Sequence, residues 1–223
     1  MKKIIYTFMI FTIISTIGYA QGEKSSLIWG SRLALNYSSF GGGDAEGFDV
    51  KVGATFGVFA RILHLGNFYL QPEFNYASKG VSELLVVDET ITIDGESFET
   101  VREYDFISAF TYLEFPLLLK YNFGIHNGSG FKPEIFAGPF AAMKLNSELT
   151  VADDVTGSAV DIEDVNGLDY GLVFGAGFGV AIENIDFLFE LRWTYSFPSF
   201  DKSSEQLDLN HRVFSLSLGF AVN

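Results

Sequence analysis

The feature that most constrains the fold of this chain is a strict two-residue alternation of side-chain character. Residues 210–221 are the clearest case. One parity of this segment holds the large apolar side chains Phe214, Leu216, Leu218 and Phe220. The other parity holds His211, Val213, Ser215, Ser217 and Gly219. A strand separates such sets onto two faces, whereas a helix would scatter them around its axis, so the pattern indicates β-structure.

The same alternation, followed along the chain, predicts eight strands. They cover residues 27–38, 51–62, 67–80, 104–121, 131–145, 168–183, 186–197 and 210–221. Long connections at 39–50, 81–103, 146–167 and 197–209 alternate with short ones at 63–66, 122–130 and 184–185. An even strand number with this asymmetry is typical of bacterial outer-membrane barrels, which have long external loops and short periplasmic turns. We therefore expect an all-β fold, an eight-stranded antiparallel up-and-down transmembrane β-barrel.

The first twenty residues have the pattern of a cleaved signal peptide. Two lysines precede an apolar stretch at residues 4–17, and small residues occupy the positions three and one before Gln21. This stretch is shorter than the ~20 residues that a membrane-spanning helix needs. We expect a signal peptide at residues 1–20 and a single barrel domain at residues 21–223.

Acidic residues mark the long connections. The formal net charge is −14, and 19 of the 28 acidic residues lie in those four segments, whose only basic residues are Arg102 and Lys202. The chain offers no basic patch for nucleic acid. It contains no cysteine, which excludes disulfides, thiolate metal sites and a cysteine nucleophile.

Alternation alone does not say which face points outward, because a soluble lipophile-binding barrel keeps its apolar face inside. Here the less apolar face is rich in glycine, alanine and serine and has few lysines and glutamates, which suits a crowded interior better than a hydrated surface. Aromatic side chains also occur near both predicted ends of the apolar face. They are Trp29, Phe68, Tyr121 and Phe220 at the periplasmic edge and Tyr37, Tyr76, Trp193 and Tyr195 at the loop edge. Two aromatic girdles are expected for a barrel that contacts outer-membrane lipids.

Charged residues on the inward parity form the most informative polar set. They are Arg32, Arg61, Glu73, Glu114, Lys120, Glu134, Glu190 and Arg192, four of each sign. Side chains just fill the interior of an eight-stranded barrel, so an open pore is not expected, and buried charges persist when they are paired. We predict a structural salt-bridge network in which Glu73 and Glu114 share Arg32 or Arg192. A general acid–base pair is the alternative, but a filled interior gives a substrate no entry.

No catalytic signature accompanies these residues. His64 and His126 fall in short turns, and His211 is an inward residue near the outer rim that could reach Ser196 or Ser199. No motif supports a nucleophile and base at these positions. We therefore expect no enzyme activity and no cofactor.

The acidic connections could in principle bind divalent cations. The candidate oxygen ligands are Asp88, Glu89, Asp153, Asp154, Asp161, Glu163 and Asp164. None has the spacing of a calcium loop, so we expect a solvated negative surface and no metal site. Residues 81–103 also contain β-branched and leucine side chains among their acids, which predicts a hairpin that extends two strands above the membrane.

Several phrases resemble one family of small barrels. They are Trp29-Gly30, the sequence YLQPEFNY at 69–76, Lys79-Gly80, YLEFPLLLKY at 112–121, Ala137-Gly138-Pro139, Asp169-Tyr170-Gly171 and FSLSLGF at 214–220. Together they are similar to the PorT-like family of bacterial outer-membrane β-barrels over essentially the whole mature chain. The resemblance implies location and fold far more than role. The namesake of the family is tied to a protein-secretion and gliding apparatus, but most similar proteins have no assigned activity.

These observations lead to one expected function and two alternatives. The expected function is a monomeric, non-enzymatic outer-membrane barrel with a structural or recognition role through its acidic external loops. The alternatives are a component of a secretion or envelope-biogenesis complex, and a soluble lipophile-binding barrel.

Overall fold

A computed structural model describes residues 27–93, 96–124, 130–151, 159–162, 165–198 and 207–222. These residues form nine strands: β1 (Ile28–Gly41), β2 (Asp49–Leu65), β3 (Phe68–Ile93), β4 (Glu96–Asn122), β5 (Phe131–Val151), β6 (Ala159–Asp161), β7 (Leu168–Ile182), β8 (Ile185–Ser196) and β9 (Asn210–Val222). Within these ranges no helix is long and apolar enough to cross a membrane. The expected signal peptide lies outside the described residues.

The sheet is a closed barrel. Strands β1 to β5 pair in sequence order, β5 pairs with β7, and β7, β8 and β9 lead back to β1. The closing pair runs without interruption from Trp29↔Val222 to Gly41↔Asn210. Strand β6 adds three residues to the edge of β5 and is not part of the wall. The eight wall strands, all antiparallel, confirm the fold predicted from the alternation.

The strands differ from the prediction mainly in that several of them extend into segments that were expected to be connections. Strands β3 and β4 continue past residues 80 and 104 and remain paired up to Ile93↔Glu96. This pairing confirms the predicted hairpin. Strand β5 likewise continues to Val151, and β6 lies inside the segment expected to be a loop. The long connections therefore carry more β-structure than the alternation alone indicated.

The apolar face of the wall points outward. Phe174 and Leu216 are 48% and 43% exposed, whereas Glu73 and Glu114 are 5% and 8% exposed. An exposed apolar exterior around a charged interior is the arrangement of a barrel in a bilayer. The soluble lipophile-binding alternative is wrong, because that class needs an apolar interior to hold its ligand.

The interior is not uniformly polar. Towards the end with the long connections, which we call the loop end, aromatic side chains of the wall pack inside the barrel. Phe40 and Phe110 are buried there, and Val165 and Leu209 from two long connections pack against the same cluster. The sequence analysis did not single out these inward aromatic residues, although Phe110 has the inward parity of Glu114 on the same strand. They close the loop end of the interior with apolar contacts.

Glycines on the inward parity make room for large interior side chains. A Cβ atom at Gly57 would lie 1.8 Å from Oδ1 of Asn75. A Cβ atom at Gly175 would lie 2.5 Å from Cζ of Phe136. At Gly175 the backbone oxygen of Leu191 would be closer still, at 2.2 Å. Both positions therefore need glycine because atoms of the neighbouring strands fill the space.

The outward orientation predicts a depth-dependent effect of charge. Leu216→Arg, near the middle of β9, should lower the free energy of unfolding in lipid vesicles by about 2–4 kcal/mol. Val222→Arg, at the end of the same strand, should lower it by only about 0–1 kcal/mol, because arginine there reaches the interface. Urea unfolding of both variants in vesicles measures the difference. Equal effects would contradict the assigned lipid face.

Candidate functional site

The barrel interior brings together all eight charged residues proposed from the sequence. Arg32, Arg61, Glu73, Glu114, Lys120, Glu134, Glu190 and Arg192 are each at most 8% exposed. Sequence reasoning missed Lys79, Asp169 and Asp186, which are also buried. Each has the inward parity of its strand, so the signal was present, but each lies within one residue of a predicted strand end. With the partly exposed Lys132, the ion pairs of the described interior join six cations to six carboxylates.

The central part of this interior is a neutral cluster around Arg192. The two terminal nitrogens of Arg192 each donate a 2.8 Å hydrogen bond to a different oxygen of Glu73. Its Nε donates to Glu190 Oε2 at 2.8 Å. A two-bond guanidinium–carboxylate contact fixes both side chains in one plane, which is the strongest pairing geometry available to these groups.

Arg32 and Lys120 extend the central cluster. Arg32 Nη1 lies 3.5 Å from Glu73 Oε2, and its Nε donates to Ser217. Lys120 Nζ lies 2.9 Å from Glu134 Oε1 and also contacts Glu190, while the Tyr69 hydroxyl donates to Glu134. The predicted sharing of a cation by Glu73 is therefore present, with both Arg32 and Arg192 as partners.

Glu114 has a different partner from the one predicted. Lys79 Nζ lies 2.5 Å from Glu114 Oε1 and 3.2 Å from Asp169 Oδ2. The expectation that Glu114 shares Arg32 or Arg192 is wrong. Glu114 is opposite Asn75 in the β3–β4 register, two inward positions below Lys79, and the long lysine side chain reaches it past the small Ala77. This loop-side cluster carries one excess negative charge.

The opposite end of the barrel, which we call the turn end, carries an excess of positive charge. Arg61 Nη1 lies 3.1 Å from Asp186 Oδ2, and Lys132 Nζ lies 2.8 Å from Asp186 Oδ1. The Arg61 guanidinium also lies over the Tyr69 ring, 5.1 Å from its centroid. Two cations therefore share one carboxylate. The ion-paired groups of the described interior are neutral as a set, with a negative excess at the loop end and a positive excess at the turn end.

The residues considered for catalysis have separate partners. His211 is buried, and its Nε2 lies 3.2 Å from the Tyr112 hydroxyl. The Ser196 hydroxyl donates to Asp169 at 3.0 Å. His64 is exposed and stacks on Tyr69. His126 and Ser199 lie outside the described residues.

The described parts of the acidic connections form no metal centre. In the described ranges, no group of three or more histidine, aspartate or glutamate side chains could hold a metal ion. Of the candidate ligands, Asp153, Asp154, Glu163 and Asp164 lie outside these ranges. Asp88 and Glu89 lie on β3, and Asp161 lies on β6.

The aromatic residues proposed for two girdles are on the outward parity. Trp29, Tyr37, Phe68, Tyr76, Trp193 and Phe220 are exposed, and Tyr121 and Tyr195 are half-buried. At the turn end, the rings of Phe68 and Tyr121 pack with centroids 4.7 Å apart. At the loop end, the Arg212 guanidinium covers the ring of Tyr195, which explains its lower exposure.

A closed barrel with an apolar exterior and a paired, charged interior defines an integral β-barrel protein of the bacterial outer membrane. The family model described as outer membrane protein beta-barrel domain matches residues 19–202, and the chain belongs to this family. Its location is therefore the outer membrane, where its exterior contacts lipids. Among curated proteins, no sequence matches the chain.

Several solved structures are similar to the chain at low sequence identity. Neisserial surface protein A is 16% identical, with a TM-score of 0.49 over 90% of this chain and 99% of that chain. A major outer membrane protein from Thermus thermophilus is 14% identical, with a TM-score of 0.49 over 88% of this chain and 99% of that chain. OprG from Pseudomonas aeruginosa is 13% identical, with a TM-score of 0.47 over 88% of this chain and 93% of that chain.

The central cluster predicts non-additive mutational effects. Glu73→Gln and Arg192→Gln should each lower the free energy of unfolding by about 3–5 kcal/mol, because each leaves an uncompensated buried charge. The double variant removes one charge of each sign, and the remaining Arg32, Lys120, Glu134 and Glu190 stay balanced. It should therefore lose clearly less stability than the sum of the single variants. Urea unfolding in vesicles tests this, and simple additivity would contradict the pairing.

Proposed function

We propose that this chain is a monomeric, non-enzymatic outer-membrane barrel that recognises a basic partner outside the cell through its β3–β4 hairpin. The observation that carries the proposal is the length of this hairpin beyond the barrel wall. Strand β2 pairs with β3 only as far as Ser82, and β5 pairs with β4 only from Phe106 onward. From Glu83↔Phe106 to Ile93↔Glu96 the hairpin continues alone, over roughly 35 Å at the rise of an antiparallel strand.

The charge of this projection supports a basic partner. Residues 83–105 contain eight acidic residues and a single basic one, Arg102. The loop end of such barrels faces the outside of the cell. A dense negative projection attracts and orients cationic surfaces, and its strength falls as salt screens it. Leu84, Val86 and Val101 are exposed on the same hairpin and add apolar contact area.

The interior supports a role without catalysis. The space beside Arg32, Lys79 and Glu114 has a volume of about 20 Å³, which is room for one water molecule. Its charged groups are bound to one another, and His211 and Ser196 have different hydrogen-bond partners. Among the described residues around this central space, a substrate therefore has neither room nor an activated group.

A second candidate is a component of a protein-secretion complex. The two phrases most similar to the PorT-like family, residues 69–76 and 112–121, lie on β3 and β4, which form the base of the same hairpin. Under this hypothesis the hairpin contacts another envelope protein. Deletion of the gene should then abolish export of secreted proteins, and a copy without the projecting hairpin should fail to restore it. Unchanged export would exclude this candidate.

We also propose that residues 1–20 are a signal peptide that is removed during export. We expect the mature protein from outer membranes to begin at Gln21, since small residues precede that position. Ala20→Arg should block this cleavage and leave the precursor in the inner membrane. Intact-mass measurement of the purified protein tests the site. A mature chain that still carries residues 1–20 would contradict it.

Recognition by the hairpin is tested with fluorescent decalysine as a basic probe and proteoliposomes of zwitterionic lipid. Replacing residues 84–105 by Asn-Gly should abolish binding and leave the barrel folded, because the wall pairing of β3 and β4 ends at Ser82 and Phe106. Neutralising three described acids, as Glu83→Gln, Glu99→Gln and Asp105→Asn together, should weaken binding roughly tenfold.

The matched control neutralises three acids of another connection at the same end. Asp44→Asn, Glu46→Gln and Asp49→Asn remove the same charge outside the hairpin and should weaken decalysine binding much less. Equal losses in the two triple variants, or binding that survives removal of the hairpin, would overturn the proposal. Heat-modifiable mobility in each variant shows that the barrel is intact.

A further inference from the structure

The turn end of the barrel contains a polar pocket that the proposed recognition function does not use. Its volume is about 350 Å³. The lining includes Arg61, His64, Tyr69, Asn122, Lys132 and Asp186. These residues come from β2, β3, β4, β5 and β8, so the pocket is formed by the barrel mouth as a whole and not by one loop. With long loops outside, this mouth opens to the periplasm.

Positive charge exceeds negative charge in this pocket. Arg61 and Lys132 bind opposite oxygens of Asp186, which is 2% exposed and has no further oxygen to offer another cation. Glu134, the next carboxylate along β5, is already bound by Lys120 and Tyr69. The pocket therefore keeps one cationic charge that no carboxylate among its described residues balances.

Arg61 has hydrogen-bonding capacity to spare at this position. Its side chain is 7% exposed, and Nη1 is used by Asp186. Nη2 is buried and donates to no described residue. A buried guanidinium nitrogen without an acceptor is unfavourable, and an oxyanion supplies the missing acceptor. Lys132 is 38% exposed at the same carboxylate, so its ammonium group remains accessible from the periplasm.

The walls of the pocket favour a compact ligand. The His64 and Tyr69 rings are stacked, with centroids 5.7 Å apart, and form one side. The side chain of Asn122 accepts from the Gly124 amide, which fixes the β4 end of the rim. A volume near 350 Å³ is at the small end of ligand pockets.

We propose that this periplasmic pocket binds a small oxyanion, the carboxylate or phosphate group of a periplasmic molecule, between Arg61 and Lys132. One oxygen accepts from Arg61 Nη2 and the group is shared with the Lys132 ammonium, while Asp186 holds the two cations in place. Partial burial strengthens such charge-assisted hydrogen bonds relative to open solvent. The bound group balances the excess positive charge of the turn end.

The test uses the full mature chain, refolded in a neutral detergent and labelled with ¹⁵N. Inorganic phosphate and acetate are the probes, each titrated at constant ionic strength against sodium chloride. The amide resonances of Gly66 and Gly124, both at the pocket, should shift and saturate with at least one of the two probes. The probe that binds more tightly identifies phosphate or carboxylate as the preferred group.

Three variants separate specific binding from general charge. Lys132→Gln should weaken the affinity roughly fivefold or more, and Lys132→Arg should largely retain it, because the positive charge beside Asp186 is kept. Lys51→Gln is the matched control. It removes the same charge from a half-buried lysine of β2 at the loop end, and should leave the affinity within about twofold.

Two results would overturn the proposal. The first is a shift of Gly66 and Gly124 that fails to saturate with either probe or is matched by chloride. The second is an affinity that Lys132→Gln leaves unchanged or that Lys51→Gln lowers equally. Since Lys132 is on the rim, its substitutions should keep the heat-modifiable mobility of the barrel. Loss of decalysine binding at the hairpin has no bearing on these outcomes.

Discussion

The structure depends on one constraint, the need of every backbone N–H and C=O group for a partner in hydrocarbon. An open sheet would leave the edges of β1 and β9 unpaired inside the bilayer, at several kcal/mol for each orphaned group. The continuous ladder from Trp29↔Val222 to Gly41↔Asn210 removes both edges. Closure with eight strands then fixes the width of the interior, and the alternation along each strand decides which side chains enter it.

Because the interior is narrow and holds little water, the inward charges have to neutralise one another. Arg192 binds Glu73 through two hydrogen bonds and Glu190 through its Nε, so strands far apart in sequence are held at one depth. Buried ion pairs of this kind specify an arrangement more than they add stability. The aromatic cluster at the loop end supplies apolar packing, and the excess charges remain at the two ends. The negative excess lies near Asp169 and the positive excess near Arg61 and Lys132.

The two ends of the barrel therefore differ in what they can bind. The loop end is closed by Phe40, Phe110, Val165 and Leu209. Among the described residues, its longest outward extension is the paired β3–β4 hairpin. The turn end remains an open, cationic pocket of about 350 Å³. The interior between the two ends is filled by side chains, so the proposed recognition outside the cell and the proposed anion binding in the periplasm do not depend on each other.

The sequence by itself determined the strand number, the sidedness of each strand and the set of inward charges, because side-chain direction in a strand depends only on parity. Parity also places Lys79, Asp169 and Asp186 in the interior. They were missed because alternation marks the ends of strands poorly. Partner choice was decided by the tertiary structure. Glu114 binds Lys79 and not an arginine because the β3–β4 register and the stagger of the closed wall set which inward positions share a depth. Register describes how neighbouring strands are aligned, and the alternation within a single strand does not specify that alignment.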